Sequence, residues 1–165
     1  VIPLDIFERM KAADYITLGN GIAGFAAIIL SLRMQFSWAA LALLLAVAFD
    51  YADGMLARWL QQGNAFGEQL DTLSDIISFG VAPAVFAYMM GFTQPGHLAI
   101  YAVFLAAGML RLARFNVTHQ YLGMPITMNG IIVPLLFFFW EESIVYYLVI
   151  SVVLMLSTIR FRRQR

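Results

Sequence analysis

Four aspartates carry the chemistry most visible in this sequence: Asp50 and Asp53, three residues apart, and Asp71 and Asp75, four apart. On an α-helix either spacing puts both side chains of a pair on one face. Between the pairs the chain reads Arg58-Trp-Leu-Gln-Gln-Gly-Asn-Ala-Phe-Gly67, with the polar and glycine-containing character of a loop. Two antiparallel helices joined there would aim four carboxylates at one another. Like charges held that close repel, and an unpaired ion in apolar surroundings is costly. Arg58 alone cannot neutralise four carboxylates. Bound divalent cations can, and shared carboxylates suit a paired-metal site that grips a phosphoryl group. The opposing reading, four separately solvated surface carboxylates, leaves the helical spacing on two consecutive segments unexplained. Gly54 and Ala57 beside Asp53, and Gly67 one turn before Asp71, remove side-chain bulk where a ligand or a second helix would approach. Taken singly, a glycine is better explained by helix packing; their position among the carboxylates is what favours a ligand.

The elements that must position these groups are apolar. Of 165 residues, 62% are hydrophobic and 12% charged, about half the charge of a soluble domain. This is the composition of a polytopic membrane protein. A spanning helix needs about 20 mostly apolar residues, and six spans can be read: Tyr15 to Leu32, Ser37 to about Leu60, Thr72 to Phe92, His97 to about Phe115, Met128 to Trp140 and Ser143 to Ile159. The expected fold is therefore all-α, a six-transmembrane-helix bundle forming one domain over residues 1–165. The fifth span is short and contains Pro134, which membrane helices tolerate when neighbours satisfy the freed carbonyl. Ahead of the first span, Ile2, Leu4, Ile6, Phe7 and Met10 alternate with Asp5, Glu8, Arg9 and Lys11, predicting an amphipathic surface helix within residues 1–14. The chain opens on Val1, so its native start is expected upstream. Asp5 and Glu8 interrupt any apolar run of the kind a cleavable signal needs.

With six spans, the termini and the second-to-third and fourth-to-fifth loops share a side. That side collects Arg9, Lys11, Arg58, Arg111, Arg114, Arg160, Arg162, Arg163 and Arg165, whereas the other holds Arg33, Glu141 and Glu142. The excess of positive charge predicts that the termini and the aspartates are cytoplasmic, in a prokaryotic cell membrane. No cysteine is present, which excludes thiolate sites, and His97 and His119 are too few for a histidine cage. A metal here must take carboxylate oxygens, which favours hard ions such as Mg²⁺, Mn²⁺ or Ca²⁺. The formal net charge of zero predicts no nucleic-acid partner.

The pattern Asp50-x2-Asp53-Gly54-x2-Ala57-Arg58-x8-Gly67-x3-Asp71-x3-Asp75 resembles the full signature of the CDP-alcohol phosphotransferases, with all eight fixed residues at their spacing. The resemblance implies a six-helix bundle, usually a homodimer, with a polar cavity open to the cytoplasm. In it an alcohol displaces CMP from a CDP-linked lipid. It further implies two divalent cations, Mg²⁺ or Mn²⁺, one held by Asp50, Asp53 and Asp71 and the other by Asp50, Asp71 and Asp75. Asp75 would also be the base that takes the acceptor's proton. Gly54, Ala57, Arg58, Asn64 and Gly67 would lie along the CDP-lipid. An alcohol near pKa 15 is a poor nucleophile at neutral pH, so a base at hydrogen-bond distance helps, and cations at the diphosphate stabilise the departing CMP.

The run Gly67 to Ala84 closely resembles the phosphatidylserine synthase branch, as do Leu110-Arg-Leu-Ala-Arg-Phe-Asn116 and Gly123-Met-Pro125. Where the family continues small and apolar, Ile126-Thr-Met-Asn129 is more polar. Arg111 and Arg114 share a helical face at the end of an apolar span, and one of them, with Asn116, is expected to fix the carboxylate of L-serine. The competing reading has both arginines snorkelling to lipid phosphates. Acceptors such as glycerol phosphate or inositol phosphate, and an archaeal ether-lipid donor, are the same-class alternatives. A divalent-cation transporter is the different-class one, although it would need acidic groups deep in several spans.

Overall fold

The computed structural model describes residues 10–60 and 65–159, which are helical without a strand. The elements are α1 (Ala12–Leu32), α2 (Phe36–Trp59), α3 (Ala65–Asp75), a π-helical turn (Ile76–Val81), α4 (Ala82–Met89), α5 (Pro95–Thr118), α6 (Met128–Phe139), a 3₁₀ turn (Glu141–Ser143) and α7 (Ile144–Leu156). The segments α3, π turn and α4 run on as one rod, Ala65–Met89. This rod, α1, α2 and α5 are the four helices long and apolar enough to cross a membrane; α6 and α7 are apolar but only 12 and 13 residues long. Pro134 sits inside α6 without ending it.

Two helix starts lie three or more residues upstream of expectation, each because polar residues hide a helix from a hydropathy reading. α1 begins at Ala12 rather than Tyr15, within the stretch expected as a surface helix. The Asp14 carboxylate accepts the Lys11 N–H at 2.8 Å and so closes the first turn. The remainder of that stretch, residues 1–9, lies outside the described residues. The third long helix starts at Ala65 rather than Thr72, so Gly67 is helical and not in the loop. Its extra turns carry Glu68 and Asp71, which face a cavity rather than lipid.

Helix α1 is the central element, packed along α2 and against α3, the π turn and α4. Small residues make this possible. A Cβ on Gly24 would collide with Ser78, and one on Gly21 would lie 3.1 Å from the Ser74 hydroxyl. Helix α5 packs on α7, and α6 on α2. Phe36, Phe86 and Phe137 form an aromatic knot with ring centroids 5.4–6.2 Å apart. That knot is about 20 Å along α2 from Asp50, at 1.5 Å per residue, so apolar packing and polar chemistry occupy opposite ends of the bundle.

A π-helical turn widens the helix and leaves its carbonyls poorly served. Asn129 on α6 answers this: its amide donates to the Phe79 carbonyl at 3.5 Å, and its oxygen accepts from the Tyr147 hydroxyl at 2.8 Å. The polarity that sets Ile126-Thr-Met-Asn129 apart is thus partly structural, bracing the turn that follows Asp75.

Candidate active site

Helices α2 and α3 both pack on α1, and their facing carboxylates bring the four aspartates together. Ligand oxygens of Asp50, Asp53 and Asp71 all lie within 4.8 Å of one another. Asp75, one turn beyond Asp71 and 5% exposed, joins them at the wall of a cavity of about 660 Å³. The same cavity is lined by Gly54, Arg58, Arg111 and Asn116 among the residues expected from sequence. Ala57 and Gly67 are half-buried and do not line it. Asn64 lies outside the described residues. The Arg58 guanidinium lies over Gly54, where an added Cβ would be 3.6 Å from Nη1, so the glycine leaves that side of the cavity open.

The carboxylates fit a cation on the chemistry of their oxygens. Asp53 Oδ2 and Asp71 Oδ1 are buried and accept no hydrogen bond from the protein. A buried carboxylate oxygen normally has a donor, and two such orphaned oxygens in an all-carboxylate cluster suit a hard divalent ion such as Mg²⁺ or Mn²⁺. Asp50 interacts with Thr127 and Asp75, and Asp53 with Thr17 of α1.

Arg111 lines the same cavity as the aspartates. It is 8% exposed, its charge interacts with Asp75 and Asp50, and its Nε has no hydrogen-bond partner. A fork-shaped donor buried beside a polar cavity is arranged to receive an anionic group. Asn116 reaches across from α5 to α3, donating to the Thr72 hydroxyl at 3.0 Å.

Arg114 goes elsewhere. It does not line the cavity, and its Nη2 donates to the carbonyls of Leu122, Met155 and Ser157 at 3.1–3.2 Å, with Nη1 3.4 Å from that of Leu156. Three of these carbonyls belong to the last turn and exit of α7, whose carbonyls lack helical donors, so the cation also opposes the negative end of that helix. The spacing that put Arg111 and Arg114 on one face did not put them in one site.

Several residues at the site carried no motif. Asn20 on α1 is fully buried and donates its amide to Asp75 Oδ1 at 3.1 Å. Thr127, Tyr121 and His119 line the cavity from the segment after α5. A signal for Asn20 did exist: Thr17, Asn20, Gly24, Ala27 and Ser31 form a buried polar-and-small stripe at helical spacing on an otherwise apolar span.

The sequence model of the CDP-alcohol phosphatidyltransferases matches residues 10–161. Three curated relatives illustrate the similarity. The CDP-diacylglycerol–serine O-phosphatidyltransferase of Saccharomyces cerevisiae is 39% identical over 120 residues, 68% of this chain and 44% of its own. The protein of the same name from Bacillus subtilis is 36% identical over 121 residues, covering 70% of this chain and 68% of its own. The archaetidylserine synthase of Methanothermobacter thermautotrophicus is 32% identical over 160 residues, 91% of this chain and 69% of its own. The chain therefore spans less than half the length of the yeast relative.

Proposed function

This chain belongs to the CDP-alcohol phosphatidyltransferase family, and from that premise we propose that it transfers a phosphatidyl group from a CDP-linked diacylglycerol-type lipid to the hydroxyl of L-serine, releasing CMP. The observation that carries the reading is the cavity itself: an acidic wall of Asp50, Asp53, Asp71 and Asp75 facing the buried, partly unpartnered Arg111. The acidic wall suits a diphosphate bound through cations, and the arginine suits the carboxylate that distinguishes serine from simple alcohols. All three relatives described above are named for transfer to serine or for archaetidylserine synthesis.

Asp50, Asp53 and Asp71 would hold one divalent cation, and Asp50, Asp71 and Asp75 a second. Mg²⁺ or Mn²⁺ there would supply charge withdrawal from the diphosphate and stabilisation of departing CMP. The rest falls to side chains. Arg58, over Gly54 at the cavity edge, contacts the nucleotide diphosphate and Asn64 contributes along the donor, whereas Ala57 and Gly67, outside the cavity lining, contribute as small residues beside it. Arg111 binds the serine carboxylate, and Asn116, tied to Thr72, closes that side of the cavity. Asp75 accepts the hydroxyl proton as serine oxygen attacks the phosphorus and the bond to CMP breaks.

The chain is read as one domain over residues 1–165 that crosses the membrane six times, α6 and α7 serving as the two short spans. It pairs as a homodimer in a prokaryotic cell membrane, with termini and cavity on the cytoplasmic side, where Arg58, Arg111 and Arg114 congregate. A second donor is favoured by one observation: the longest of the three alignments is with the archaetidylserine synthase, which raises the archaeal ether-lipid alternative without changing the acceptor.

The test is CMP release by purified protein given CDP-diacylglycerol or its ether-linked counterpart, with a panel of alcohols. Serine-dependent release is expected. Release driven by glycerol phosphate or inositol phosphate, and not by serine, would overturn the acceptor assignment.

A further inference from the structure

We propose that Asn20 is a positioning residue for Asp75, holding the base in the orientation from which it takes the acceptor's proton; the proposal rests on the role assigned to Asp75 above. Asn20 lies on α1, 55 residues from Asp75 in sequence, and its Nδ2 donates to Asp75 Oδ1 at 3.1 Å. The contact is dry, since Asn20 is 0% and Asp75 5% exposed. The bond occupies one carboxylate oxygen of Asp75, whose carboxyl also interacts with Asp50 and lines the cavity.

Asn20 is itself held from both sides. Its backbone carbonyl accepts the Ser78 hydroxyl at 2.9 Å, from the π turn three residues beyond Asp75. Gly21 and Gly24, one and four residues on, let the two helices approach closely enough for these bonds to form, and neither site admits a Cβ without displacement. The amide therefore meets Asp75 at a distance set by backbone packing rather than by a mobile side chain. One cost is visible: Asn20 Oδ1 is buried without a partner. A buried amide that spends only its donor end is poorly explained as core filling, and well explained as an orienting group. Partners of this kind, acting through a ligand or base rather than on substrate, typically change activity or metal affinity by about ten- to hundredfold when removed.

The decisive variant is Asn20→Leu, which keeps the branched outline of the side chain in a bulkier form and removes the donor, with the smaller Asn20→Ala as a second should leucine fail to fold. In CMP-release kinetics kcat is expected to fall about ten- to hundredfold, while the KM values for donor and serine stay within about threefold. A kcat within about threefold of the parent, or a rise of both KM values in step with the loss, overturns the proposal. A second readout needs no lipid: Mn²⁺ affinity of the purified protein, measured for Asn20→Leu, Asp75→Asn and the double variant. If Asn20 acts through Asp75, removing it weakens Mn²⁺ binding in the parent and has no further effect in Asp75→Asn. Equal weakening in both backgrounds shows a general structural role and also overturns it. Wild-type turnover by Asp75→Asn would remove the base assignment. No turnover by the parent on any CDP-lipid would remove the proposed reaction. In either case the Mn²⁺ cycle still decides whether Asn20 works through Asp75.

Discussion

The cavity has two walls built on different principles. The acidic wall comes from α2 and α3, helices joined by a short segment, and gathers four carboxylates into one place. The basic wall comes from the end of α5, where two arginines three residues apart part company: Arg111 turns to the cavity and Arg114 to the carbonyls that end α7. A carboxylate in an apolar helix has few places to go, because helices offer no free backbone donors except at their N-termini. An arginine has two outlets, an anionic site or the unpaired carbonyls at a helix C-terminus. Acidic clusters are therefore more informative in a membrane sequence than basic pairs.

The largest effect that would sharpen the contrast is loss of cations. Excess chelator is expected to abolish CMP release, and Mg²⁺ or Mn²⁺ to restore it, because the acidic wall repels a diphosphate without them. Full turnover in chelator would break the reading of that wall. Within it, Asp75→Asn is expected to remove transfer and leave substantial binding of the CDP-lipid, since three carboxylates remain. Asp71→Asn, assigned to both ions, should impair Mn²⁺ and nucleotide binding as well as turnover. Identical binding by the two variants would dissolve the division of roles.

How much of this was legible follows from the same physics. The spacing of Asp50, Asp53, Asp71 and Asp75 sufficed to pair them on two helix faces, and the two faces converge because α2 and α3 are regular and both pack on α1. The start of α3 was hidden, because Glu68 and Asp71 lower the hydropathy of turns that face a cavity and not lipid. Asn20 was missed because its partner is 55 residues away, and one asparagine in an apolar helix has no spacing to read. Only the stripe it shares with Thr17, Gly24, Ala27 and Ser31 marked the face that packs inward. The difference between Arg111 and Arg114 was not legible at all. It depends on where α7 ends relative to α5, a tertiary fact.

On the basic wall, Arg111→Ala is expected to raise the serine KM about ten- to hundredfold, matching roughly 1.5–3 kcal/mol for a charge-assisted hydrogen bond. The donor KM should change far less, and Arg111→Lys should recover only part of the loss, since lysine lacks the planar fork. An unchanged serine KM would leave the basic wall without a role in acceptor choice and weaken the case for serine.

The smallest effect on activity, and the sharpest test of the contrast, belongs to Arg114. Its guanidinium satisfies the carbonyls of Leu122, Met155 and Ser157 at 3.1–3.2 Å, tying α5 to the exit of α7. Removing it leaves acceptors at a helix end without donors, a loss of roughly 1.5–3 kcal/mol for bonds to a charged group. In a chain of this size that corresponds to a fall in melting temperature on the order of 5 °C. Arg114→Lys should restore part of it, because an ammonium places three donors but cannot span carbonyls fixed by a planar group. The serine KM should stay within about twofold of the parent, because the charge Arg114 carries is already spent on the backbone. Thermal unfolding in detergent and serine kinetics on the same preparations read the two quantities together. A tenfold rise in serine KM at unchanged melting temperature, on the scale by which kinetic effects are judged, would return both arginines to one acceptor-binding unit. A lower melting temperature with intact kinetics keeps them apart: one arginine for the ligand, the other for the helix end.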